Sequence, residues 1–219
     1  MTTFVLVHGA WGGAHGFRYV RKLLQAAGHE VTAPSLTGIG ERVHLAHPLV
    51  TLSTHVRDLV NHVLYEDLQD IVLLGFSYGG FVVTGALEHI ADRVRHLVFL
   101  DASHPQNGES LADVAPGMMD YAYRHVTMRD GIELMELPQD QAIPSYGLVD
   151  PADMAWAAPR LKPHPWPCFV QKLSLTREAE VRKLPRTSIN CTPTLKIRPP
   201  ELLHRTLEAD HVFEIDTGH

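Results

Sequence analysis

The stretch that most constrains the fold is an apolar run at residues 71–74 that leads directly into Gly75-Phe76-Ser77-Tyr78-Gly79. Four consecutive apolar residues are typical of a strand buried on both faces, and apolar residues at helical spacing follow in residues 81–90. Ser77 is therefore predicted to lie in a tight turn between a strand and a helix. Glycines at both ends of the pentapeptide allow the close chain crossing that such a turn requires, because any Cβ there would be crowded. The pattern predicts that Ser77 is a nucleophile.

Length and composition limit the classes of protein to which the chain can belong. With 219 residues, 45% of them hydrophobic and 20% charged, it suits one globular domain with an elaboration. The net charge of -6 and the lack of long basic runs argue against nucleic acid as a partner. Neither a signal peptide nor a membrane span is predicted, so we expect a cytoplasmic protein with Cys168 and Cys191 reduced. The 15 histidines show no metal-binding spacing, and we expect no metal.

Strands and helices alternate along most of the chain. Strands are predicted at residues 4–8, 30–33, 71–74, 94–100, 188–191 and 212–215, and helices near residues 16–27, 51–64, 81–90 and 200–207. This alternation predicts a mainly parallel six-stranded α/β sheet with helices on both faces.

The glycine-rich loop that follows the first strand is the second candidate functional loop. Ligands of such sheets bind at the carboxyl ends of the strands, where the winding direction reverses. If the first strand lies between the second and the third, this loop meets Ser77. The backbone amides of Ala10 and Tyr78 would then form an oxyanion hole, and Gly9 and Trp11 would contact the substrate.

Residues 102–184, here named the cap segment, interrupt the alternation. A structureless loop of this length is improbable in a compact domain, so we predict a helical cap inserted after the fourth strand. The core would then comprise residues 1–101 and 185–219. Met118, Trp156 and Trp166 of the cap segment would line an apolar substrate pocket. The alternative is a packing appendage that does not contact the substrate.

The sequence resembles the α/β-hydrolase superfamily in three places: residues 5–11, the turn at residues 75–79, and Asp216-Thr217-Gly218-His219. Within it, residues 5–11 and Gly28-His29-Glu30-Val31 are similar to the branch of plant methyl esterases, hydroxynitrile lyases and related bacterial esterases. The resemblance implies a serine hydrolase of small carboxylic esters that forms an acyl-serine intermediate, with His219 as the base and no cofactor. A lyase acting on cyanohydrins and a non-catalytic small-molecule binding protein are the alternatives, and a homodimer is left open.

The third catalytic residue is the least determined part of this interpretation. The family usually carries its carboxylate after the penultimate strand, where this chain has Thr194. Asp101, at the end of the fourth strand, is our candidate, because a carboxylate one strand away from Ser77 can reach the imidazole. Asp101 could instead cap a turn, and Glu201 is the strongest competitor, ahead of Asp210 and Asp216. Relatives continue beyond the catalytic histidine, so further residues after His219 are also expected.

Overall fold

The computed structural model describes residues 1–137 and 146–219, whose main element is a six-stranded sheet. The strand order is β2-β1-β3-β4-β8-β9, and each neighbouring pair is parallel. The first strand therefore lies between the second and the third, which meets the condition for the loop after β1 to approach Ser77. The strands are β1 (Thr3–Val7), β2 (Glu30–Thr32), β3 (Ile71–Phe76), β4 (Val94–Leu100), β8 (Arg186–Cys191) and β9 (His211–Ile215).

Helices cover the sheet, and the alternation of side chains along β1 shows its two faces. Val5 and Val7 belong to the main hydrophobic core, whereas Leu6 belongs to a smaller cluster on the other face. The helices outside the cap segment are α1 (Arg18–Ala26), α2 (Leu52–Tyr65), α3 (Gly79–Ile90), α9 (Thr192–Ile197) and α10 (Pro200–Leu207). Short 3-10 helices occupy Ala14–Phe17, Gly40–Leu45 and Ala91–Arg93. Among the described residues, no helix is long and apolar enough to cross a membrane.

Helix α1 is less buried than its apolar spacing predicts. Phe17, which precedes it, is buried, but Val20 and Leu23 are exposed. The cluster beneath this helix consists of Leu6, Phe17 and Val31 with a few partly buried neighbours, so it offers little surface for a full apolar face to cover.

The cap segment contains the predicted helices and, in addition, a small sheet that the sequence interpretation did not include. Strands β5 (Val126–Arg129), β6 (Ile132–Met135) and β7 (His164–Pro165) pair antiparallel. Asp130 and Gly131 join β5 to β6 with φ angles of 51° and 77°, the left-handed conformation of a tight hairpin. The helices here are α4 (Leu111–Val114), α5 (Pro116–Tyr123), α6 (Pro151–Ala157), α7 (Pro167–Val170) and α8 (Glu178–Val181), with a 3-10 turn at Ala158–Arg160.

Gly79 is the glycine whose replacement should most directly disturb the core. A Cβ added there would lie 2.6 Å from the carbonyl oxygen of Val7 and 2.9 Å from that of His8, and neither backbone atom can move freely. Gly79→Ala should therefore lower the free energy of unfolding by about 3 kcal/mol, measured by urea denaturation. Gly16→Ala is the control, because a Cβ there meets nothing within 4 Å. Equal urea midpoints for the two variants would contradict this prediction.

Candidate active site

The turn that carries Ser77 has the strained geometry that its sequence predicts. β3 ends at Phe76 and α3 begins at Gly79, and Ser77 between them has a φ of 54°. The amide of Ser77 donates a hydrogen bond to the carbonyl of Leu100 at 3.1 Å, which ties the turn to the end of β4. A Cβ at Gly75 would lie 2.7 Å from the carbonyl oxygen of Gly79, so the crossing requires glycine. A left-handed serine held in this way is a feature of functional sites.

His219 connects Ser77 to Asp101. Its Nε2 lies 2.8 Å from the Oγ of Ser77, and its Nδ1 lies 2.5 Å from Oδ2 of Asp101. The imidazole packs against two aromatic rings, with centroid distances of 5.0 Å to Phe76 and 5.8 Å to Tyr146. Because the carboxylate can only accept, Nδ1 carries the proton and Nε2 is free to accept the proton of the serine. The structure thus brings together the three residues that the sequence singles out.

Asp101 follows β4 directly and has a φ of 42°, a second strained position at this edge of the sheet. Its carboxylate is fully buried and accepts hydrogen bonds from Thr194 Oγ1 at 2.8 Å and from the amide of Cys191 at 3.2 Å. Burial raises the pKa of this carboxyl, but hydrogen bonds from His219, Thr194 and Cys191 outweigh burial, and the net pKa lies below its usual value. Asp101 is therefore held ionised.

The competing carboxylates lie elsewhere. Glu201 is exposed in the first turn of α10, and Asp210 accepts the backbone amide of Arg186 at 2.7 Å. Among the described residues, Asp101 is the carboxylate with a hydrogen bond to His219. Thr194, at the position where the family's acid is expected, instead donates its hydroxyl to Asp101. Sequence reasoning found the position of Thr194 but missed this role.

The loop after β1 approaches Ser77 closely. A Cβ at Gly9 would lie 2.9 Å from the Cβ of Ser77 and 3.1 Å from the ring of Phe76. Among the hydrogen bonds of the described residues, none has the amide of Ala10 or Tyr78 as its donor, so both remain available for an oxyanion. Their positions at the loop and at the start of α3 are those that the sequence predicts.

His8 fixes the peptide between Gly9 and Ala10. Its Nδ1 donates to the carbonyl of Gly9 at 2.8 Å, and its Nε2 accepts from the amide of Leu36 at 3.1 Å. Burial lowers the pKa of His8 to about 4, so the imidazole is neutral near pH 7. Because the Gly9 carbonyl and the Ala10 amide belong to one planar peptide, the first hydrogen bond also sets the direction of that amide.

A cavity of about 390 Å³ opens beside this group. At one end it is lined by Gly9, Ala10 and His219, and Trp156 lines it from the cap segment. Arg18 also lines it, with its guanidinium carbon 3.2 Å from the ring centroid of Trp156. The cap segment therefore contributes a wall to the cavity that His219 lines.

The structure separates Trp11 and Trp166 from this cavity, which corrects their assignment to substrate binding. Trp11, with a φ of 60°, turns into the cap segment, where its indole nitrogen donates to the carbonyl of Met135 at 3.2 Å. Trp166 is buried and packs against Phe169, with ring centroids 6.0 Å apart. The side chain of Met118 lies outside the described part of the structure.

Within the described residues, one cluster has ligand types suited to a metal ion: His55, His164 and Cys168, all buried, with ligand atoms within 4.8 Å of one another. Its hydrogen bonds do not fit a metal. The Nε2 of His55 donates to the carbonyl of Thr37 at 2.8 Å, and its Nδ1 lies 2.9 Å from the hydroxyl of Tyr78. The Nδ1 of His164 accepts the amide of Trp11 at 3.3 Å, which leaves the proton on Nε2. Both ring nitrogens of His55 are thus engaged by Thr37 and Tyr78, and the ring of His164 packs against that of Tyr78 with centroids 5.0 Å apart.

A parallel sheet with a serine at a strand-to-helix turn and a glycine-rich loop beside it defines the α/β-hydrolase class of fold. The chain belongs to the alpha/beta hydrolase family, whose sequence model matches residues 4–219.

Curated relatives include esterases and lyases. The chain is 47% identical over 116 residues to a carbendazim hydrolyzing esterase of Nocardioides sp. (strain SG-4G), a match covering 53% of this chain and 48% of that protein. It is 29% identical over 199 residues to the pFDCC methylesterase MES16 of Arabidopsis thaliana, covering 85% of this chain and 74% of the relative. An alpha-hydroxynitrile lyase of Arabidopsis thaliana is 32% identical over 103 residues, covering 47% of this chain and 40% of the lyase. The match covers about half the length of the Nocardioides relative and 74% of the length of MES16.

Solved structures match over the whole chain. An extracellular alpha/beta-hydrolase from a Paenibacillus species superposes with a TM-score of 0.81 at 23% identity, covering 100% of this chain and 91% of that one. At this level of identity the likeness concerns the fold alone.

Proposed function

We propose that this protein is a serine hydrolase of the carboxylesterase type, which cleaves a small ester through an acyl-Ser77 intermediate. The observation that carries the proposal is the bridge formed by His219, 2.8 Å from Ser77 Oγ on one side and 2.5 Å from Asp101 on the other. The esterases among its relatives support the reaction class.

In the proposed reaction, Ser77 Oγ attacks the ester carbonyl carbon while its proton moves to Nε2 of His219. Asp101 keeps the proton on Nδ1 and stabilises the imidazolium. The amides of Ala10 and Tyr78 bind the carbonyl oxygen as it becomes negative, each contributing about 3 kcal/mol in a site shielded from water. The tetrahedral intermediate collapses when the alcohol leaves with the proton of His219. A water molecule, deprotonated by His219, then releases the acid and restores Ser77.

The proposed substrate is a small ester with an apolar part. The cavity of about 390 Å³ is lined by apolar side chains that include Phe76, Leu148 and Trp156. We also propose that residues 1–101 and 185–219 form the catalytic core and that residues 102–184 form a cap over it, because Trp156 of the cap segment lines the same cavity as His219.

A cyanohydrin lyase is the competing activity, since relatives include an alpha-hydroxynitrile lyase. In the branch that this chain resembles, hydroxynitrile lyases carry threonine at the place of Gly9. A Cβ at Gly9 would lie 2.9 Å from the Cβ of Ser77, so a threonine would displace the loop from its present position. A non-catalytic binding protein is disfavoured because His219 has both a serine and a carboxylate partner.

The acyl intermediate can be tested directly. Mixing the protein with excess p-nitrophenyl butyrate and quenching at short times should give a burst of nitrophenol and a butyryl group on the peptide that contains Ser77. Intact mass spectrometry followed by peptide mapping measures both. Acylation of another residue, or cyanide release from mandelonitrile above the uncatalysed rate without ester turnover, would contradict the proposal.

A further inference from the structure

A guanidinium lies directly behind the carboxylate of Asp101. Nη2 of Arg198 is 3.5 Å from Oδ1 of Asp101, on the oxygen that does not face His219. The Arg198 side chain is 6% exposed and that of Asp101 is 0% exposed, so water hardly screens the pair. The Arg198 guanidinium, the Asp101 carboxylate and the His219 imidazole therefore follow one another, with the first two buried and the imidazole partly buried.

Arg198 is fixed from two further elements. Its Nη1 donates to Thr206 Oγ1 on α10 at 2.6 Å and to Oδ1 of Asn190 on β8 at 3.3 Å. Asn190 in turn is completely buried. A long side chain loses rotamer entropy when it is held in this way, and burying a charge is costly unless it is paired. The hydrogen bonds to Thr206 and Asn190 thus hold the positive charge of Arg198 beside the carboxylate of Asp101.

We propose that Arg198 is a positioning residue that sets the basicity of His219 by balancing the charge of Asp101. The inference rests on the proposed function, because it concerns the base of the same reaction. Thr194 occupies the usual place of the family's acid, and Arg198 and Thr194 both contact the carboxylate that stands in for it. Arg198 and Thr194 together hold the carboxylate of Asp101 in place at the end of β4.

The direction of the effect follows from the groups that face Asp101. These are His219 after β9, Arg198 beyond α9, and the thiol of Cys191 at the end of β8. Burial and the neighbouring Asp101 raise the pKa of Cys191 to about 12, so this thiol is neutral. Close to Arg198, burial and the surrounding arginines lower the pKa of His104 to about 3, so it is also neutral near pH 7. Within the described residues, Arg198 is the basic residue besides His219 that forms an ion pair with Asp101, and its charge opposes protonation of His219.

Removal of this cation should make His219 easier to protonate. In Arg198→Met, the acid limb of the kcat/KM profile should move upward by about one pH unit, because the imidazole must be neutral to accept the serine proton. Arg198→Gln should give the same shift, and it offers a polar alternative if the methionine variant does not fold. Arg198→Lys, which keeps the charge, should restore most of the original midpoint.

Arg205→Met is the matched control. Arg205 lies on α10 and forms an ion pair with Glu109 through two hydrogen bonds of 2.7 and 2.9 Å, and within the described residues it has no hydrogen bond or ion pair with Asp101. Arg205→Met should lower the melting temperature without changing the midpoint of the acid limb of the kcat/KM profile. The experiment measures p-nitrophenyl acetate hydrolysis from about pH 5 to pH 9, together with melting temperatures for all variants.

The same titration can be followed without turnover, from the ring ¹⁵N resonances of His219 in the resting protein, assigned with a His219→Asn variant. An upward shift of the His219 midpoint in Arg198→Met and Arg198→Gln, but not in Arg205→Met, supports the inference. If both Arg198 variants have the same midpoint of the His219 titration as the wild type, the inference is overturned and Arg198 has a structural role only. Failure of the proposed function is distinguishable, because it would abolish ester turnover in the wild type while the resonances still report the titration.

Discussion

Replacing Ser77 by alanine should lower kcat for p-nitrophenyl butyrate by about six orders of magnitude. The variant keeps the amides of Ala10 and Tyr78 and the cavity but loses the atom that would form the acyl bond in the proposed reaction, so only the residual effect of binding and polarisation should remain. A fluorophosphonate probe should label the wild type and leave the variant unlabelled. Steady-state kinetics and in-gel detection of the probe measure the two effects.

Ser103→Ala is the control for this experiment. Ser103 lies in the loop that follows Asp101, and a Cβ at Gly80 would approach its carbonyl oxygen at 2.7 Å, so the residue is part of the same packed region. Its hydroxyl has no role in the proposed reaction, and the variant should keep both turnover and labelling. Full labelling of Ser77→Ala would refute the assignment of the nucleophile.

Asp101→Asn should keep the fold and lower kcat by about four orders of magnitude. The amide can present its NH₂ group to Nδ1 of His219, which favours the tautomer with the proton on Nε2. That nitrogen could then no longer accept the proton of Ser77, which lies 2.8 Å away. Kinetics at saturating ester and circular dichroism of the purified variant measure activity and fold separately.

Glu201→Gln is the discriminating partner of this variant. Glu201 is exposed at the start of α10, so its neutral isostere should have nearly the activity of the wild type. An Asp101→Asn enzyme with near-normal kcat, beside an inactive Glu201→Gln, would transfer the role of the acid to Glu201.

The sheet could be predicted because its signals are local and strong. The apolar runs of β3 and β4, the helical spacing after Ser77 and the glycines around it all favour the same strand-turn-helix arrangement. The small sheet of the cap segment was missed, although Asp130-Gly131 between two apolar stretches is a strong hairpin signal. The prediction of helices instead rests on the length of the cap segment, because a structureless loop of that length is improbable.

The contacts of Asp101 and the positions of the tryptophans were harder to predict, because they depend on how segments distant in sequence pair. Phe76 of β3 is paired with Leu100 of β4, which places Ser77 and Asp101 side by side at the sheet edge. Leu100 is paired with Ile189 of β8, and this register brings Thr194 to the carboxylate. No periodicity in the sequence specifies such a register. Likewise, the direction of Trp11 follows from its left-handed φ and from a contact with Met135, neither of which its neighbours in sequence reveal.

The origin of the three site residues has a consequence for how the protein would lose activity on heating. Ser77 and Asp101 flank the α3 crossover between two central strands, whereas His219 is 142 residues from Ser77 in sequence and follows the edge strand β9. Within the described residues, β9 pairs with β8 on one side and with no strand on the other. Edge elements of this kind open by local unfolding at a lower free energy than the core. Catalysis should therefore fail when β9 frays, while most of the molecule is still folded.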